Sequence, residues 1–321
     1  MNKPASPLAV IAVAFVALLA AAPAHAQLSR TFVSAATGND ASNCERPTPC
    51  RTFQGALGKT NDQGEITVLD PGGYGSIDID RSISIVNDGV GEASILVSGG
   101  STGISIIRAP TAAVNLRGIT VQGIGFGGGQ GVFVSAVGAL TMTNCVVRNH
   151  TGDGIQVAPR LSGTYNVTIA NTLVADNGGT GIEILGQSNT NVNVQVLFDR
   201  VYVLDNSIDG VAVDGIFAAG TIKATAKDSL SANNKRDGFV AASGAGKAAT
   251  SLMLMRSASV NNANGLHADA ATATLRVAGS TIAGNETGWF ALSGATLQSF
   301  GDNYIAGNTS GDLPPPLIAT K

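Results

Sequence analysis

A glycine returns along this chain at nearly fixed intervals, each time at the head of a short apolar segment. Gly75 precedes S-I-D-I, Gly103 I-S-I, Gly131 V-F-V, Gly154 I-Q-V, Gly181 I-E-I, Gly210 V-A-V, Gly238 F-V-A, Gly265 L-H-A and Gly288 W-F-A. The successive spacings are 28, 28, 23, 27, 29, 28, 27 and 23 residues. Self-similarity at a period of roughly 20–50 residues describes a stacked array in which each unit covers its neighbour's apolar face. The units here are strand-like: E-I-T-V-L, S-I-S-I-V, V-N-L-R-G-I-T-V, N-V-T-I-A and V-Q-V-L-F alternate apolar and polar residues or run fully apolar. Clusters of Gly, Asn, Asp and Ser separate them, residues that accept the tight turns such a coil needs. No segment of about a dozen residues with helical period lies between strands, which argues against alternating strand–helix folds and helical horseshoes. The expected fold is all-β, a single-stranded solenoid whose successive circuits pair in parallel, about 4.8 Å apart.

Other positions repeat in step. His150, Asn177, Asn206, Asn234, Asn261 and Gly284 stand four residues before the glycines, and the asparagines are expected to form an amide ladder at one turn. Asn144-Cys145, Asn171-Thr172, Asp199-Arg200, Asp228-Ser229 and Ser280-Thr281 mark a second recurrent turn.

The ends depart from the array. Residues 1–26 carry Lys3, an apolar run from Leu8 to Ala22 and the small-residue pattern Ala24-His25-Ala26, the layout of a cleaved secretory signal. The run is too short and alanine-rich for a membrane span, so the mature chain is expected to begin at Gln27 and to be secreted or periplasmic. Its removal takes away Lys3 and no acid, leaving 18 Lys and Arg against 22 acids, a net charge of −4. Charged residues make up 13% of the sequence, about half the usual share, with no basic stripe, which excludes a nucleic-acid surface. Residues 27–64 read as an N-terminal cap. In it, Cys44 and Cys50 are close together in N-C-E-R-P-T-P-C, so in an exported chain they form a disulfide, a metal site being the alternative. Phe53, Ala56 and Leu57 fall on one face of a short helix, a lid for the solenoid's first circuit. Cys145, in M-T-N-C-V-V, reads as a buried free thiol. The array proper covers residues 65–312, and residues 313–321, opening on L-P-P-P, read as an irregular tail because proline cannot donate to a ladder. The oligomeric state is left open.

With these repeats in view, the chain resembles the right-handed parallel β-helix superfamily, the pectin-lyase-like fold, over residues 65–312. N-T-L-V-A-D-N-G-G-T-G-I-E-I and its copies N-C-V-V-R-N-H-T-G-D-G-I-Q-V and D-R-V-Y-V-L-D-N-S-I-D-G-V-A-V are similar to that family's coil repeat. The opening F-V-S-A-A-T-G-N-D with C-R-T-F-Q-G-A-L is similar to the start of exported bacterial β-helix proteins of unassigned function. The resemblance implies polysaccharide as the partner class, but the fold carries lyases, hydrolases, epimerases and non-enzymatic proteins. The motifs of its enzymes are incomplete here. N-H-T-G-D-G, Asn149–Gly154, supplies only Asp153, without the second aspartate, G-H-G or R-I-K of polygalacturonases. R-A-P from Arg108 begins a pectate-lyase-like R-x-P-x-x-R, but position 113 is alanine. D-P-G-G-Y-G, Asp70–Gly75, shares only letters with the Y-G-F-D-P-H segment of alginate epimerases. The G-x-G-x-x-G within Gly123–Gly131 has no following helix to cradle a phosphate.

Two sets of polar residues remain. Two and four residues after the glycines, the outward column includes Glu183, Asp214, His267 and Asp269, candidates for acid–base work. At the turns, Asp176, Asp205, Asp209 and Asp237 could hold calcium, or serve simply as Asp-Gly turn residues. Trp289 and Phe290 are the one adjacent aromatic pair, suited either to a sugar platform or to plugging the end of the core. Three readings follow: a polysaccharide-binding β-helix without an identifiable catalytic motif; a divergent lyase, hydrolase or epimerase; or a structural, adhesive surface protein. No cofactor is indicated beyond possible calcium.

Overall fold

In the computed structural model, residues 28–107, 109–124 and 127–318 are described; the expected secretory signal and Arg108 lie outside them. Three parallel sheets wind together into one solenoid. The circuit around residue 200 shows the unit. Asn191–Asp199 lies in an eleven-stranded sheet, Tyr202–Leu204 in a ten-stranded sheet and Val211–Asp214 in a nine-stranded sheet. The chain then re-enters the first sheet at Ala219–Lys227, which pairs in parallel with Asn191–Asp199 one circuit back. Alternation decides the facing: along Asn191–Asp199, Val192, Val194, Val196 and Phe198 are buried while Gln195 and Leu197 face out. The interior is one continuous column of mainly aliphatic side chains from Val33 to Leu297, with Tyr74, Tyr165, Phe198 and Phe239 among them. Each fully buried Val, Leu or Ile contributes about 1.5–3 kcal/mol relative to exposure.

The glycines from Gly103 to Gly288 form the expected column, because the strands that follow them pair in strict register from Ile104 to Trp289. Close approach, not left-handed backbone, requires them. A Cβ on Gly181 would lie 2.4 Å from Val203 Cγ1 and 2.8 Å from the Gly210 carbonyl oxygen of the next circuit. Gly75 departs from the column: Ile77, not Ser76, pairs with Ile104, which places Ser76 opposite Gly103, and Gly75 takes a left-handed φ of 72°.

The amide ladder exists but follows a different line. Nδ2 of Asn177 donates to Asn206 at 2.9 Å, Asn206 to Asn234 at 2.9 Å, Asn234 to Asn262 at 2.9 Å and Asn262 to Asn285 at 3.2 Å, ending on Asn308. Asn261 and Gly284 are therefore not rungs. From that circuit on, the turn is one residue shorter, so the rung stands three residues before the glycine. Asn261 and Gly284 occupy the preceding left-handed position, with φ of 55° and 68°, as do Asp176 and Asp205 earlier. The second recurrent turn has the same form. Asn144, Asn171, Arg200, Asp228, Arg256 and Gly279 are left-handed, and hydroxyls of Ser229, Ser257 and Ser280 accept from the backbone N–H one circuit before. Ser280 thus takes the second place of that turn, not the first, and Arg200 the first, not the second, so that Asp199 precedes it.

At the N-terminal end, α1 (Phe53–Leu57) buries Phe53, Ala56 and Leu57 over the first circuit, and the Thr52 hydroxyl caps it by accepting from Gly55 N–H at 3.0 Å. Cys44 and Cys50 form a disulfide, and Cys145 is a buried free thiol. Leu28–Val33, within the expected cap, pairs with Thr60–Val68 and so already belongs to the eleven-stranded sheet. Tyr74, in the D-P-G-G-Y-G segment, is fully buried with its hydroxyl on Asp70, a structural contact. The tail folds back: Ser299 N–H donates to Pro316 at 2.9 Å and Ile318 N–H to Ser299 at 2.9 Å.

Candidate functional site

The nine-stranded sheet presents its outward side chains in columns, since parallel strands in register stack equivalent residues. One column runs Phe133, Gln156, Glu183, Ala212, Val240, His267 and Phe290; the next runs Leu185, Asp214, Ala242, Asp269 and Leu292. Beside them lie the residues that precede the glycines, Asp153, Thr180, Asp209, Asp237 and Asn264. Where small residues, Ala212, Val240 and Ala242, stand between long polar ones, the surface sinks into a groove of about 370 Å³.

This groove gathers all four acid–base candidates, Glu183, Asp214, His267 and Asp269, together with Asp209 and Asp237 from the calcium set. Asp176 and Asp205 are exposed at the left-handed turn and do not join them. Asp209 and Asp237 are nearly fully buried, and each has its partners. Both oxygens of Asp209 receive the Arg236 guanidinium, Nε at 2.7 Å on Oδ1, and the Asp237 N–H donates to it at 3.1 Å. Asp237 in turn accepts from Asn264 Nδ2 at 2.7 Å on one oxygen and meets His267 Nδ1 at 2.8 Å on the other. The imidazole stacks on Phe290, ring centroids 4.3 Å apart. Nε2 of His267 and Oδ1 of Asp269 are buried atoms with no hydrogen-bond partner. Among the described residues no group of three or more His, Cys, Asp or Glu side chains has the geometry to hold a metal ion.

At the other end of the groove, Glu183 accepts from Gln156, whose amide also donates to Asp153 at 3.0 Å and accepts from Gln130 at 2.8 Å. Burial raises the Glu183 carboxyl above the usual carboxylate range, with Asp153, Asp214 and Asp209 adding repulsion against the opposing Gln156 bond. Burial likewise raises Asp214, with repulsion from Asp209 and Asp269, although it accepts from Ile216 N–H at 2.7 Å and lies near Arg236. Five carboxyl groups thus face one guanidinium and one imidazole, and burial raises the pKa of two of the carboxyls, Glu183 and Asp214.

The aromatic pair divides: Phe290 lines the groove, whereas Trp289 packs on the end of the core and donates Nε1–H to the Leu313 carbonyl at 2.6 Å. His150 is no groove residue. It is buried at the head of the amide ladder, its Nε2 near the Val121 carbonyl at 3.3 Å. Sequence reasoning missed Arg236 and Asn264 as site residues and missed the Asp237–His267 pair. The register sets His267 opposite Val240, not Asp237, so the pair was not available from it.

Residues 65–199 and 131–310 match the family described as right-handed beta helix region. Among solved structures, a pectate lyase, Pel9A, superposes with a TM-score of 0.56 at 16% identity, over 88% of this chain and 79% of its own. ORF18 of Geobacillus virus E2 superposes with a TM-score of 0.56 at 13% identity, over 96% of this chain and 64% of its own. At such identities the likeness is one of fold. Among curated proteins none matches the chain.

Proposed function

The chain belongs to the right-handed β-helix family, and from that premise we propose that the groove of the nine-stranded sheet binds an uncharged polysaccharide lying along the solenoid axis. The observation that carries this reading is the concentration of polar, hydrogen-bonding side chains and one aromatic face in a single depression across consecutive circuits. A polymer running along the axis meets an equivalent strand position every ~4.8 Å, so a repeating ligand and a repeating surface are matched in kind. Phe290 and Leu292 offer apolar area to a sugar ring at one end, and Glu183, Asp214 and Asp269 offer acceptors to its hydroxyls. A pectate lyase on the same scaffold supports polysaccharide as the partner class. The excess of carboxylates disfavours a polyanion such as pectate, because like charges brought together at a desolvated surface cost several kcal/mol. An exported location, with the Cys44–Cys50 disulfide, is in keeping with such a partner.

The test is calorimetric titration of residues 27–321 with xylan, galactan, arabinan, laminarin and dextran, with polygalacturonate as charged control. At least one uncharged polymer is expected to bind, and Phe290→Ala to weaken it about tenfold. Binding of polygalacturonate alone, or an unaltered affinity in Phe290→Ala, refutes the reading.

A further inference from the structure

We propose that the outward face of the ten-stranded sheet docks against the same face of a second copy of this chain, the two solenoids lying side by side with their axes parallel. Along each three-residue strand of this sheet from Val146–Arg148 to Ala258–Val260, the middle side chain points into the core and the outer two point away from it. Register stacks the first of the outer positions into a column, Val146, Leu173, Tyr202, Leu230 and Ala258. In the neighbouring column Leu204 and Val260 alternate with Ala175 and Ala232. Over five circuits, ~19 Å along the axis, this face is apolar until Arg148 at one end. An equivalent outward column of the eleven-stranded sheet is Asn166, Gln195, Lys223 and Ser251. Single exposed apolar residues are ordinary, but a contiguous stripe on a parallel sheet marks a contact surface. Tyr202, 47% exposed at its centre, is the residue type that anchors interfaces.

Two observations choose the second copy as occupant. The stripe repeats every ~4.8 Å, and an identical stripe meets it circuit for circuit. Its borders also carry complementary charge. Arg200 stands in the turn that enters Tyr202–Leu204, its side chain half exposed, and the exposed Asp205 directly follows that strand. Neighbouring circuits keep this order: Lys227 and Arg256 share Asp228 on the entry side, and Asp176 and Glu286 stand on the exit side, near Lys235. A two-fold axis parallel to the solenoid axis reverses the strand direction across the interface. It sets Tyr202 on Leu204 of the second copy and Arg200 against its Asp205, twice by symmetry. A two-fold along the strands would instead bring Arg200 to Arg200, and like charges across an interface are costly. A membrane-facing surface would be rimmed by Lys and Arg; here one border is acidic.

The stripe is two side-chain columns wide, smaller than the roughly 800 Å² per partner of a stable interface. The bordering turns must therefore enter the contact, which is where the Arg200–Asp205 pairs lie and why they set the orientation. Sheets that face each other pack about 10 Å apart, a gap that leucine and tyrosine side chains from both faces fill. The groove of the nine-stranded sheet lies on another face of the solenoid and stays open, so each dimer carries two.

Sedimentation equilibrium of residues 27–321 between about 1 and about 100 µM is the test, and a reversible dimer is expected. Tyr202→Lys puts a charge at the centre of the stripe and should weaken the dimer at least about 100-fold, with the circular dichroism spectrum of wild type. Leu197→Lys, at a position 39% exposed on the eleven-stranded sheet, should leave the dimer unchanged. Arg200 and Asp205 both sit at a left-handed φ of 55°, so each place accepts either residue type. Arg200→Asp and Asp205→Arg should each weaken the dimer about tenfold, and the double variant should regain it. A chain that stays monomeric over this range overturns the proposal, as does a dimer that survives Tyr202→Lys or is lost equally in Leu197→Lys. A monomer that binds phosphatidylcholine vesicles, and ceases to in Tyr202→Lys, gives the face to a lipid surface instead. A dimer that Tyr202→Lys abolishes but the charge exchange leaves untouched overturns the parallel arrangement.

Discussion

Asn261 and Asn262 are adjacent and chemically identical, yet the fold assigns them opposite weight, and a pair of substitutions measures the difference. The Asn262 side chain is buried, and its Oδ1 accepts from both the backbone N–H and Nδ2 of Asn234, each at 2.9 Å. Its own amide donates to the Ser231 carbonyl at 3.1 Å and to Asn285 at 3.2 Å. In Asn262→Ala the Asn234 N–H loses its acceptor inside the core, and Nδ2 keeps only Ser231 Oγ at 3.0 Å and a longer contact to Val203. Each buried donor left unpaired costs about 1–3 kcal/mol, so the loss is about 2–4 kcal/mol once the retained Ser231 contact is allowed for. Asn261 is exposed, at a φ of 55° that the chain fills with glycine at positions 284 and 307. Asn261→Gly relieves left-handed strain and removes no buried bond, so stability should change by less than about 0.5 kcal/mol. Urea unfolding followed by circular dichroism, compared at equal slope, reads both values. If Asn261→Gly destabilises as much as Asn262→Ala, or if Asn262→Ala is neutral, the ladder does not run where the structure places it.

Other consequences are equally direct. Gly181→Ala should lower stability by at least about 2 kcal/mol, because its Cβ meets Val203 and a carbonyl of the next circuit; an unchanged urea midpoint would contradict the tight column. Burial lowers the pKa of His150, so the unfolded chain takes up its proton first and stability should fall as pH drops below about 6.5. His150→Asn, which offers Asn177 another rung, should flatten that dependence in thermal melts between pH 7 and pH 5. Asp214 is costly to the fold when ionised, since its pKa is raised. Asp214→Asn should therefore raise the melting temperature at neutral pH, and the gain should shrink as pH falls through the folded-state pKa toward the unfolded value near 4. Cys44→Ser should cost about 2 kcal/mol from freeing a short loop, read as an earlier urea midpoint.

The period of the glycines and the alternation of the strands made the architecture legible, because a solenoid repeats its geometry and so must repeat its constraints. What the sequence hid were one-residue slips. The turn shortens between Asn234 and Asn262, and counting back four from each glycine then lands on the left-handed residue instead of the rung. Gly75 looks like a member of the column but precedes it by one. The outward columns of the groove were readable, and Glu183, Asp214, His267 and Asp269 do converge. Their partners were not, since Arg236, Asn264 and the pairing of Asp237 with His267 depend on contacts between neighbouring columns of different circuits. Asp209 and Asp237 read as turn acids or calcium ligands in one dimension, whereas the fold closes Arg236 and His267 over them.

Because the groove is assembled from stacked circuits, distances along it come only in multiples of one strand spacing. Asp214 and Asp269 stand two steps apart, with Ala242 between. A lineage that lost one circuit there would bring such a pair to a single step of ~4.8 Å, close enough for the two carboxyls to meet. One that gained a circuit would move the pair out of mutual reach. In this scaffold the count of circuits between two side chains sets how far apart they stand, adjustable by duplication or loss without touching the aliphatic interior.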